Sequence, residues 1–163
     1  MKKIMEMLQN MKAKNEKKDN KGFSLVELII VIAIMAILVG VVGTQVLPYI
    51  NKSKEAKDFQ IISSYGTAAM TAYSSNADKI TIPTSKKIEF KVYDTANTGD
   101  EKTLADAIQG MTYDSIPTTK FKSNNGKTIT NIKVTYDFDA KTITTQALNG
   151  SDAAVLDPVV SDM

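Results

Sequence analysis

The chain has 163 residues and twenty basic side chains against eighteen acidic ones, and it lacks both cysteine and histidine. No disulfide framework is possible, and the commonest general acid–base and transition-metal ligand are missing. Residues 1–22 hold seven lysines and three acids, a net of +4, which leaves −2 for the rest of a chain whose total is +2. That remainder shows no basic patch interleaved with aromatics, so no nucleic-acid contact is expected of it.

After the lysine-rich head comes "GFSLVELIIVIAIMAILVGVVGTQVLPYI", Gly22 to Ile50, and from Leu28 to Ile50 there are 23 residues without a charge. As a helix this stretch is about 34 Å long, enough for a hydrocarbon core of about 30 Å. The head and the run admit three readings. A secretory signal peptide has a shorter apolar region followed by a small-residue cleavage site, and this run is too long for one. A plain membrane anchor, held with its lysines in the cytoplasm by the positive-inside rule, accounts for the head but not for Glu27, the one acid within the apolar run. An ionised carboxylate in the middle of a spanning helix costs about 2.5–3.5 kcal/mol and calls for a partner. No lysine lies between Gly22 and Lys52. The third reading makes the partner by proteolysis. A cut after Gly22 frees the amino group of Phe23, which a helix starting at Phe23 places on the same face as Glu27, at i and i+4.

The stretch "KGFSLVELIIVIAIMAIL" resembles the prepilin peptidase site of type IV pilins and related pseudopilins, through Lys21, Gly22, Phe23, the hydroxyl of Ser24, Leu25-Val26, Glu27 and the unbroken apolar run. The resemblance covers about 25 residues and ends by Tyr49. It implies that a peptidase cuts after Gly22 and methylates the new N-terminal Phe23. It also implies that Glu27 registers one subunit against the next. The partners implied are further copies of the chain in a helical filament, the prepilin peptidase, the assembly platform with its ATPase, and the membrane before assembly. No cofactor, metal or enzymatic activity is expected. The organisation implied is a leader over 1–22, a transmembrane and assembly helix over 23–50, an amphipathic continuation over 51–75 and a globular sheet domain over 76–163.

Gly40, Gly43 and Pro48 punctuate the run. Glycine costs a helix interior about 1 kcal/mol and proline about 3, so residues 40–48 are expected to be its softest part, kinked rather than broken because lost bonds cannot go to water in lipid. Beyond Pro48, charges at Lys52, Lys54, Glu55, Lys57 and Asp58 occupy the first turns. Phe59, Ile62, Gly66, Ala69, Met70 and Tyr73 then recur at helical spacing. The helix is expected to continue to Ser75 and to bury that stripe against a soluble domain.

From Ile80 the period changes. "KKIEFKVYD" alternates, with Ile88, Phe90 and Val92 on one face, and reads as a half-buried strand. "EKTLADAIQGM" has Leu104, Ala105 and Ile108 at helical spacing and Gly110 as a stop. "TNIKVTYDFD" puts Ile132, Val134, Tyr136 and Phe138 inward, Asp139-Ala140-Lys141 turns the chain, and "TITTQAL" returns as the second arm of a hairpin. Asn125-Gly126 marks another turn, and the tail "NGSDAAVLDPVVSDM" carries no pattern. The fold class expected is α+β: a long N-terminal helix, part membrane span and part spine, with a small antiparallel sheet packed on its second half.

Acids gather at Asp94, Asp100, Glu101 and Asp106 and at Asp137 and Asp139, without EF-hand spacing, and fit solvated turns. Asn149-Gly150-Ser151 fits a glycosylation sequon, a triplet common by chance. The function expected is that of a structural subunit of a type IV pilus-like filament, inserted in the cytoplasmic membrane with its N-terminus inside and then drawn into an extracellular pilus. Two alternatives stand beside it: a minor pilin or pseudopilin of a type II secretion or DNA-uptake system, and a membrane-anchored binding module that never polymerises.

Overall fold

A computed structural model of the chain describes residues 2–15 and 22–163; Lys21 and the rest of 16–21, part of the expected leader, lie outside the described residues. The chain divides into two compact units, one ending at Val46 and the other spanning Leu47–Met163. The first unit holds helix α1, Lys2–Asn15, and helix α2, Leu25–Val41, followed by five residues of π-helix, Val42–Val46. α1 is a helix the sequence reading did not anticipate, and Ile4, Met5, Met7 and Leu8 are exposed on it. α2 has no buried residue.

The second unit begins with helix α3, Leu47–Asn76, so helical residues follow one another from Leu25 to Asn76. Next come β1, Lys87–Lys91; helix α4, Gly99–Met111; β2, Ile129–Asp137; β3, Thr142–Asn149; and β4, Val159–Asp162. The four strands form one antiparallel sheet in the order β1-β2-β3-β4. α3 packs across β2, β3 and β4, while α4 packs against α3 and β1. The fold is therefore α+β, with the small sheet on the later part of the helical stretch.

Alternation explains the sheet. Ile88, Phe90, Ile132, Val134, Tyr136, Ile143 and Ala147 are buried on one face. Fully burying one large apolar side chain is worth about 1.5–3 kcal/mol. On the opposite face Lys87 pairs with Asp137 at 2.9 Å, directly across the ladder. Lys133 stands 3.6 Å from Glu89. The β2–β3 turn is built by Asp137, whose Oδ1 accepts the N–H groups of Asp139 and Ala140, and it closes with Lys141 at φ 55°. Phe138, expected inward, falls just past the end of β2 and is partly buried.

Three expectations need correction. The tail is not without structure: β4 pairs with β3, its Val160 opposite Thr144. Four residues are too few to show a period, and this strand's alternation is between half-buried and exposed positions. The buried stripe of α3 differs from the one anticipated. Ile62, Gly66 and Ala69 are buried and Tyr73 is partly so, but Phe59 and Met70 face out, and Tyr65, Ala68 and Ala72 complete the face with Asp58. The sheet selects small residues here. A Cβ on Gly66 would stand 3.2 Å from Val159 Cγ1, so β4 lies against the helix where a side chain is missing. Gly110 lies within α4, which ends at Met111, so it is not the stop expected of it.

Asp58 has no exposed surface, yet its carboxylate is fully used. It accepts the backbone N–H groups of Lys122 at 2.8 Å and Ser123 at 2.9 Å, and the hydroxyl of Ser123 at 2.5 Å. Ser123 Oγ in turn accepts the N–H of Gly126. Nearer the start of α3, Asn51 accepts from Asn124 N–H, and Glu55 accepts from the Asn125 amide. The Asn125-Gly126 turn, which continues into a short 3-10 segment at Gly126–Thr128, is thus tied to α3 by polar side chains one helical turn apart.

Candidate functional site

The residues singled out in the sequence lie at the start of α2 and just ahead of it. Gly22 and Phe23 precede the helix, and Phe23 is 88% exposed. Ser24 is the N-cap, with extended-type backbone angles, and its Oγ accepts the N–H of Val26 at 3.3 Å. Glu27, three residues on, turns back to accept the N–H of Ser24 at 2.7 Å. This is a capping box: the hydroxyl and the carboxylate each satisfy a backbone donor that the first helical turn leaves unpaired. The carboxylate also sits at the positive end of the helix dipole.

The arrangement differs from the one expected in a way that matters. The helix starts at Leu25, not Phe23, so Phe23 and Glu27 do not share a helix face as i and i+4. Glu27 is directed toward the chain start by its bond to Ser24, the residue that follows Phe23. The signal was present in the sequence as Ser24-x-x-Glu27, a capping-box pattern before an apolar run.

The apolar helix is long and apolar enough to cross a membrane: the helical stretch Leu25–Asn76 contains a window of mean hydropathy 3.1, none of it buried. Leu25, Ile29, Val31, Ile34, Ile37 and Val39 are all more than half exposed. Gly40 and Gly43 have open space around them. The π-helix at Val42–Val46 ends two residues before Pro48 in sequence. Proline has no N–H to give the carbonyl four residues back, and its ring crowds that carbonyl. A wider turn just ahead of it lets the helix pass without breaking. Thr44 Oγ1 donates to the carbonyls of Gly40 and Val41 within this stretch.

The globular domain offers no comparable chemistry. Three of the acids singled out have structural partners: Asp94 accepts the N–H of Ala96, Asp100 that of Thr81, and Asp106 pairs with Lys102 at 3.2 Å. Among the described residues no three acids come together as a metal cage. Asn149 of the sequon uses its Oδ1 to accept the N–H groups of Ser151 and Ala153 in a turn. The tyrosines are structural. Tyr136 donates to the carbonyl of Ala69 at 2.8 Å, and burial pushes its hydroxyl pKa well above the ordinary value. Tyr65 and Tyr93 meet hydroxyl to hydroxyl at 2.5 Å, and burial raises both.

Residues 17–43 match the model of the prokaryotic N-terminal methylation motif. Neither the curated proteins nor the solved structures contain a match to the chain.

Proposed function

We propose that this chain, which carries the N-terminal methylation motif of type IV pilins, is the precursor of a filament subunit, cut after Gly22 and polymerised through its apolar helix. The observation that carries the reading is the position of the Glu27 carboxylate, 2.7 Å from the backbone nitrogen of Ser24. Hydrolysis of the Gly22–Phe23 bond creates an α-amine one residue ahead of that nitrogen. The cation therefore forms next to an acid already turned toward it. A lone carboxylate is expensive in hydrocarbon, and a paired one much less so.

The same chemistry serves assembly. Lipid tails are as apolar as the helix, so leaving the bilayer for a bundle of helices gains nothing from hydrophobicity itself; tight packing and polar pairing give the specificity. A carboxylate near one helix start and an amine at the next is a pairing that fixes axial register between subunits. In the precursor the lysines of residues 1–22 hold that end in the cytoplasm, where the peptidase cuts and methylates Phe23, and the sheet domain faces outward. The assembly platform and its ATPase then draw the subunit into the filament. Gly40, Gly43 and Pro48 give the helix a deformable middle for packing into it. On this reading the leader spans 1–22, the assembly helix 23–50, its amphipathic continuation 51–75 and the surface domain 76–163. A minor pilin or pseudopilin would use the same N-terminal chemistry at lower copy number.

Glu27→Gln tests the reading. Glutamine serves the capping box as glutamate does, so the start of the helix is kept and only the charge is lost. If charge pairing drives assembly, the variant is still cut after Gly22, but sheared filaments fall to background. Filaments at the wild-type level would mean that Glu27 acts as a helix cap alone, as it could in a non-polymerising anchor.

A further inference from the structure

We infer that Lys54, Lys57, Lys122 and Lys127 form a docking site for the phosphate groups of anionic lipid headgroups, which seats the globular domain on the outer membrane surface before assembly. The inference rests on the membrane-spanning reading above. The four lysines line one cleft together with Thr118, Thr119 and Phe121. All four are exposed, and among the described residues none of them belongs to an ion pair. Lys122 Nζ instead donates to the carbonyl of Thr119 at 2.6 Å, within the same loop. This concentration of unmatched positive charge stands out in a chain whose residues after Gly22 carry a net of −2.

Position selects the occupant. The apolar run ends at Ile50, and Ile50, Lys54 and Lys57 are spaced i, i+4 and i+7 on α3, so they share a helix face. Helical rise puts Lys54 about 6 Å and Lys57 about 10 Å beyond Ile50. The polar layer of one leaflet is about 5–7 Å deep. Side chains on an α-helix lean toward its N-terminus, so both lysines lean back toward the apolar end, and their long stems reach the headgroups. The loop that carries Lys122 and Lys127 is fixed at the same level by Asp58. Exposed Tyr49 precedes the cluster and supplies the amphipathic ring favoured at a membrane interface. Lys86 and Lys141 lie at the other end of the domain. Lys86 accepts from Phe138 N–H, and Phe138 packs on Tyr73, sixteen residues beyond Lys57 on α3.

The test uses the full chain in vesicles of phosphatidylcholine alone and of phosphatidylcholine with phosphatidylglycerol. A membrane-impermeant amine reagent is applied from outside, and each lysine is read by mass spectrometry. The expected result is labelling about fivefold slower at Lys54, Lys57, Lys122 and Lys127 in the anionic vesicles, with Lys86 and Lys141 unchanged and the difference abolished by high salt. Equal labelling in both lipids, with the chain floating on both vesicles, would overturn the docking and leave the span intact. Slow labelling in both would also overturn it, since shielding would then not depend on an anionic headgroup. Protection of the detergent-solubilised chain by duplex DNA, without any lipid effect, would assign the cleft to nucleic acid and overturn the lipid site. A chain that floats on neither vesicle would overturn the membrane-spanning reading itself.

Discussion

Asp58 and Gly126 show how much a single residue can decide in this fold. A Cβ at Gly126 would lie 2.0 Å from Asp58 Oδ2 and 2.8 Å from Ser123 Oγ, so no other residue fits without displacing the carboxylate. Gly126→Ala is expected to destabilise the domain by about 2–4 kcal/mol, within the range of a broken buried network. Asp58→Ala leaves three donors without their charged acceptor and should cost about 3 kcal/mol or more. Because both changes act on one network, the double variant should cost clearly less than the sum. Urea unfolding of the detergent-solubilised chain, followed by tyrosine fluorescence, checks this, and additive losses would mean that the two sites are independent. None of this was legible in the sequence. Asp58 stands among Lys52, Lys54, Glu55 and Lys57 and looks like one more solvated charge, and its partner Ser123 is 65 residues away. Glu27 is the opposite case: its bond to Ser24 spans three residues and could be read from spacing.

At the level of elements, period was a good guide wherever large apolar side chains carried it. β1, β2 and β3 alternate as expected, and α4 follows from Leu104, Ala105 and Ile108, which are all buried. The buried face of α3 was less predictable because the side chains that pack there are small: Ala68, Ala69 and Ala72 carry little hydrophobic signal, while larger Phe59 and Met70 face solvent. β4 has four residues and is recognisable only through its partner β3. The π-helix at Val42–Val46 lies inside the stretch marked by Gly40, Gly43 and Pro48, where the sequence indicated softness without giving the form. Pro48→Ala restores a backbone donor and removes a penalty of about 3 kcal/mol. It is expected to slow amide exchange across residues 42–48 by at least tenfold in detergent micelles. Unchanged exchange would show that the π turn has a cause other than the proline.

The whole molecule combines an apolar helix with no buried residue and a domain closed by packing, hydrogen bonds and surface ion pairs, without a disulfide, since cysteine is absent. Its pH response follows from the tyrosines. Burial raises Tyr65, Tyr93 and Tyr136 in the folded state, whereas unfolded tyrosine titrates near about 10. Their contribution to stability is therefore complete below that pH and is lost as pH rises above it. On the acid side Asp137 is held low by the Ala140 N–H and by Lys87, so its smaller contribution is present above the usual carboxylate range and is lost as pH falls through it. The thermal midpoint should stay level from pH 6 to 9 and fall steeply above about pH 10; a flat profile to pH 12 would contradict the buried hydroxyls. The overall architecture was readable because span, helix and hairpin each have a strong period, while the ties between them depend on contacts distant in sequence. Cleavage after Gly22 followed by assembly is checked by mass spectrometry of N-terminal peptides in material sheared from intact cells. An abundant peptide beginning at Phe23 and heavier by one methyl group is expected, and a chain that still carries residues 1–22 would rule the processing out.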